Sequence, residues 1–142
     1  MKASDLRIGN LVEYNGITFQ VYSIQSPEPM QDERFSDKYL VTLSGDGLIT
    51  VTIDEIKPIT LTEEWLAKFS LSQQGKRPMW VKGKVCVVLA RYPDLKGYLT
   101  DKKFYIGFKD LGNVIFHTTI ECEHVHALQN AVALTGEELT IR

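Results

Sequence analysis

One short tract holds every residue type that a metal ion or an acid–base pair would need: Glu121-Cys122-Glu123-His124-Val125-His126. Thiolate, imidazole and carboxylate are all zinc ligands. On a helix, Cys122 and His126 stand four apart and share one face, while Glu121 and His124 stand three apart and share another. His124 and His126 are two apart, so on a helix they point away from each other. A structural zinc site takes four ligands. The chain has two cysteines, Cys86 and Cys122, no CxxC pair, and a single histidine outside the tract, His117. The tract therefore reads as a helix start whose acids lie near the dipole. No metal and no cofactor is expected.

Other chemistry fares no better. No GxSxG elbow or cysteine-protease signature is present. Cys86 lies in the apolar run Val85 to Ala90, where a thiol stays inert. Gly45-Asp46-Gly47 lacks the rest of a phosphate-binding fingerprint and suits a hairpin turn. Asp54-Glu55 and Glu63-Glu64 are adjacent pairs, and neighbours on a strand or helix do not converge. With no candidate catalytic residue, the sequence points away from an enzyme.

Charge is more informative. The 142 residues sum to −2, which gives no global attraction to nucleic acid or anionic membrane. That total hides an asymmetry. From Lys76 to Lys109 there are nine basic residues against two acids, a local charge of +7, while the rest of the chain carries −9. Aromatics interleave the basic stretch: Trp80, Tyr92, Tyr98 and Tyr105. Cations displace counterions from phosphate and rings stack on bases, so Lys76, Arg77, Trp80, Lys82, Lys84, Lys102 and Lys103 form a candidate nucleic-acid surface. The same residues also suit the guarded edges and turns of a meander. A basic sheet could equally meet the acidic part of another chain and guide an assembly.

These residues need elements to hold them. Leu11-Val12-Glu13-Tyr14, Asn15-Gly16 and Ile17 to Tyr22 read as a hairpin, because both turn residues of an Asn-Gly pair accept positive φ. A long polar loop, Ser26 to Lys38, follows. Tyr39, Val41 and Leu43 alternate, as do Ile49, Val51 and Ile53, and Ile56 and Ile59 close the region. Five short strands here predict a small, partly open SH3-like barrel over residues 1–60. Residues 60–69 read as a helix with Thr62 at its N-cap and Trp65 and Phe69 on one face. After a polar break at Ser70 to Gly75, Met79 to Ile120 reads as an antiparallel meander, with Val85 to Ala90 as a central strand because it is apolar on both faces. A helix from about Glu121 to Leu134 ends the chain, with Val125, Leu128 and Val132 as its buried stripe and Gly136 beyond its end. The fold class expected is α+β: the barrel, a short helix, and a meander with the C-terminal helix packed on it. The length suits a single domain, in which 1–60 and 61–142 could be subdomains.

Three stretches together carry a resemblance. They are Arg7-Ile8-Gly9-Asn10-Leu11-Val12, then Ile59 to Phe69 with its Leu-Thr-Glu-Glu-Trp string, and finally Val125-His126-Ala127-Leu128-Gln129-Asn130 leading into Leu134-Thr135-Gly136-Glu137-Glu138-Leu139. This layout resembles a group of small uncharacterised proteins of Bacteroides-type gut bacteria and their phages. The resemblance spans most of the chain and is thinnest between Ser70 and Glu121. It implies a bacterial cytoplasmic or phage-associated setting, and brings no activity, cofactor or site residue with it. Met1 to Arg7 lacks the apolar core of a secretory signal, which also predicts a cytoplasmic protein. The function expected is a non-enzymatic binding or assembly protein, with a protein partner or self-association. The alternative is a nucleic-acid-binding accessory protein that uses residues 76–109.

Overall fold

The computed structural model describes residues 1–27, 38–91, 95–99, 101–109, 115–139 and 141, with backbone alone at 109 and 115–119. The class is α+β. Two compact units, Met1–Ile59 and Thr60–Arg142, are each built on one antiparallel sheet. Most of the loop expected at Ser26 to Lys38, and the link expected at Gly112-Asn113, lie outside the described residues.

The first sheet runs in sequence order through β1 (Leu11–Tyr14), β2 (Ile17–Gln25), β3 (Leu40–Ser44) and β4 (Leu48–Thr52). Asn15 and Gly16 take φ of 50° and 76°, and Tyr14 faces Ile17 across the two-residue turn, as the hairpin signal predicts. Val12, Val21, Val41, Leu43 and Val51 point inward and join Leu6, Ile53 and Ile56 in one core. The register explains the grouping: Val21 faces Leu43, and Val41 faces Val51. An irregularity between Val21 and Ser23 displaces Tyr22 from the ladder.

Five strands are expected in this unit; four form, and Ile53 leaves the ladder after the fourth. Ile53–Glu55 is a 3-10 turn. The Glu55 carboxylate fastens it, accepting the Thr52 N–H at 2.8 Å and the Thr52 hydroxyl at 3.2 Å. Ile53 stays buried all the same. Beyond the turn, Lys57 and Glu13 exchange both backbone hydrogen bonds, at 2.8 and 2.9 Å. Among the described residues no further pair with β1 follows, so a single residue pair stands where a fifth strand was expected.

The second unit opens with α1 (Glu63–Lys68). Its end is a Schellman motif. The Leu71 N–H bonds the Leu66 carbonyl at 3.0 Å, the Ser70 N–H bonds that of Ala67 at 2.9 Å, and Ser70 takes φ of 62°. Leu66 and Phe69 are fully buried, and Trp65 lies 5.8 Å from Phe69, ring to ring. The sheet follows the chain from β5 (Ser72–Gln73) through β6 (Met79–Lys82), β7 (Val85–Ala90) and β8 (Lys103–Lys109) to β9 (Ile115–Glu121). The strand β5 falls within the expected polar break. The strand β7 is central, and Val85, Cys86 and Val87 are buried on both its faces. The helix α2 (Val125–Ala133) buries Val125, Leu128 and Val132, the expected stripe. No helix of the described residues is long and apolar enough to cross a membrane.

Candidate functional site

The tract expected to open a helix is mostly extended, and strand-type pairing is the reason. Glu121 completes β9 opposite Tyr105. The Cys122 N–H bonds the Phe104 carbonyl at 2.8 Å, the Leu61 N–H bonds that of Glu123 at 2.9 Å, and His124 forms an antiparallel bridge with Thr60. The helix begins at Val125, with His124 as an extended N-cap at φ −128° and ψ 150°. The helical spacing argument for Cys122 with His126 therefore fails. It fails for His124 with His126 in the opposite sense: their rings stack 5.5 Å apart at 9°, because only one of the two residues is helical.

Burial sets the character of the cysteine in this tract. Cys122 is 1% exposed, and burial pushes its thiol up to about 12, against a smaller opposing pull from the His124 backbone; the thiol donates to the His124 carbonyl at 3.6 Å. It is a protonated core thiol, neither a thiolate ligand nor a nucleophile at neutral pH. The Glu121 carboxyl is held below its usual range, first by the hydrogen bond from Lys103 at 2.9 Å. Among the described residues, no three His, Cys, Asp or Glu side chains are grouped to hold a metal ion.

The basic stretch is divided by the meander. Lys76 and Arg77 lie in the β5–β6 turn, and Lys102 and Lys103 lie where β8 begins, at the same end of the sheet. Lys84 lies in the β6–β7 turn at the opposite end, about 20 Å away along a six-residue strand. Two of the predicted cations are committed to the fold. Lys82 donates to the Phe69 carbonyl at 2.9 Å, and Lys103 pairs with Glu121. Trp80 is 6% exposed and packs edge-on against Phe104, with ring centroids 6.0 Å apart. A ring so placed is core and cannot stack on a base, which corrects the expectation for Trp80. Lys76, Arg77, Lys84 and Lys102 remain exposed.

A pocket of about 330 Å³ joins the two sequence features. Lys102, Lys103 and Phe104 line one part of it, residues Glu121 to His124 another, and Thr60 and Leu61 the rest. Its two ammonium groups are matched by two carboxylates, so its formal charge sums to zero.

A second candidate carries no motif in the sequence, because its signal is an absence of charge. Among the described residues β4 pairs only with β3, which makes it an edge. Its sequence, Leu48-Ile49-Thr50-Val51-Thr52, holds no charged residue, and Leu48, Ile49 and Thr50 are all exposed, Leu48 at 61%. Edge strands are ordinarily guarded by charge, proline or a bulge. No family model, curated protein or solved structure matches the chain.

Proposed function

We propose that the protein is a non-enzymatic binding or assembly module that engages a protein partner. The observation that carries this is the β4 edge, a run of exposed, uncharged, strand-forming residues with pairing capacity to spare. The buried, protonated Cys122 and the charge-balanced pocket supply support from the other side.

A partly open SH3-like barrel is our proposal for residues 1–60, with α2 packed on the meander in 61–142. Support for the barrel comes from a nine-residue β2 with a bulge, a 3-10 turn after β4, and the Lys57 pairing on β1. A cytoplasmic, phage- or mobile-element-associated setting follows from the resemblance in the motifs alone.

The nucleic-acid alternative is favoured by one placement: Lys76, Arg77 and Lys102 share an end of the second sheet. Affinity capture from bacterial lysate, with and without nuclease, separates the readings. The binding reading expects a protein captured in stoichiometric amount after nuclease treatment. Capture that nuclease abolishes, and that weakens steeply with salt, would overturn it in favour of the alternative.

A further inference from the structure

The direction of the hydrogen-bonding groups on β4 can be worked out. The Ile53 N–H bonds the Tyr39 carbonyl at 3.0 Å. In an antiparallel ladder such bonded pairs alternate with unbonded ones. The pairs Val41 with Val51 and Leu43 with Ile49 are therefore the bonded ones, and Thr42 with Thr50 and Ser44 with Leu48 are not. Two contacts agree with this phase. Thr42 and Thr50 hydroxyls meet at 2.9 Å, as side chains do across the closer, unbonded pairs. The Thr52 N–H points away from β3, to the Glu55 carboxylate. Leu48 and Thr50 thus direct their N–H and C=O groups outward, and among the described residues nothing pairs with them. Glu55 closes the edge at Thr52, so an added strand finds Leu48 to Thr50 and no more.

From this geometry we infer that the β4 edge accepts an extended peptide segment by strand addition, and that the segment carries basic residues on either side of a short uncharged, β-branched centre. Strand addition draws affinity from main-chain bonds and selectivity from alternate side chains. Leu48 and Thr50 stand on one face of β4 to meet those of the segment. Charge selects the flanks. Asp46 precedes the edge and Glu55 ends it, while Asp54 is already paired with Lys38 at 2.8 Å. A second copy pairing antiparallel about Thr50 would set the Asp46 end of each copy against the Glu55 end of the other, like charge against like. A basic segment meets the same carboxylates with attraction. This inference rests on the protein-binding reading and specifies where the partner docks and what chemistry it brings.

The test uses a fluorescein-labelled peptide, five alternating valines and threonines between two lysines at each end, titrated against the full-length protein. The same peptide N-methylated at its central amides cannot pair. In the protein, Thr50→Pro removes an outward N–H at an edge position where proline is tolerated, and circular dichroism checks its fold. Binding is expected for the first peptide, with a loss of tenfold or more on either N-methylation or Thr50→Pro. Equal binding of the N-methylated peptide, no binding by folded wild-type protein, or a wild-type dimer that Thr50→Pro disperses would each overturn it. The N-methylated arm decides the question even if Thr50→Pro does not fold. A nuclease-resistant partner captured equally by wild-type and Thr50→Pro protein would remove the edge inference and leave the binding reading standing. Failure to capture any partner, with no peptide bound, would remove both.

Discussion

At the scale of single residues, burial decides what a reactive side chain can do. Cys122 has neighbours that invite a chemical role, yet its thiol is raised to about 12 by desolvation. The sign of the linkage follows. A thiol raised in the folded state contributes stability that is full below the unfolded value of 9.0, and that contribution is lost as pH rises toward 12. Urea unfolding between pH 8 and 10.5 should show stability falling in the wild type and a shallower fall in Cys122→Ala. Parallel curves would show that Cys122 carries none of the alkaline loss. Residue types were legible in the sequence; their partners were not. Trp80 and Lys82 look alike as nucleic-acid contacts in a basic stretch. One is edge-on to Phe104, and the other donates to a carbonyl 13 residues back. Both contacts depend on the fold of the sheet, which no local spacing encodes.

At the scale of elements, local rules read correctly wherever the backbone was free to obey them. The Asn15-Gly16 hairpin, the central β7 and the buried stripe of α2 follow from turn chemistry and periodicity. Departures occur where long-range pairing claims the same residues. Glu121 to His124 carry helix-start features but are held extended by Tyr105, Phe104, Leu61 and Thr60. Ile53 alternates like a strand residue, but Glu55 caps Thr52 and Ile53 turns out of the ladder. One element end sits at a local cost. Ser70 occupies the left-handed position of the Schellman motif, where glycine is unstrained. Ser70→Gly should stabilise the protein by about 1 kcal/mol, read as a higher urea midpoint at unchanged slope. A lower midpoint would mean that the Ser70 side chain outweighs the backbone strain.

At the scale of the whole molecule, the near-neutral total charge divides into −4 for Met1–Ile59 and +2 for Thr60–Arg142. The sequence showed the basic stretch as a block of +7, but the second unit also carries nine acids, and Glu121 already neutralises Lys103. Antiparallel pairing sends the remaining cations to opposite ends of one sheet. The uncharged edge was harder to see. A short run of leucine, isoleucine, threonine and valine reads as an ordinary interior strand until topology leaves it with one neighbour. The motifs that carry the resemblance also have structural duties: Gly9 takes φ of 95°, and the Asn10 side chain accepts the Arg7 N–H at 2.7 Å. The central claim is that this protein binds through the first unit and not through the basic sheet. Its most direct test is a set of backbone amide spectra of the full-length protein, recorded as the lysine-flanked peptide is added. The Leu48 and Thr50 amides should shift and gain protection from hydrogen exchange while those of Lys76, Arg77 and Lys102 stay in place. Shifts at the three basic positions with Leu48 and Thr50 unmoved would contradict it.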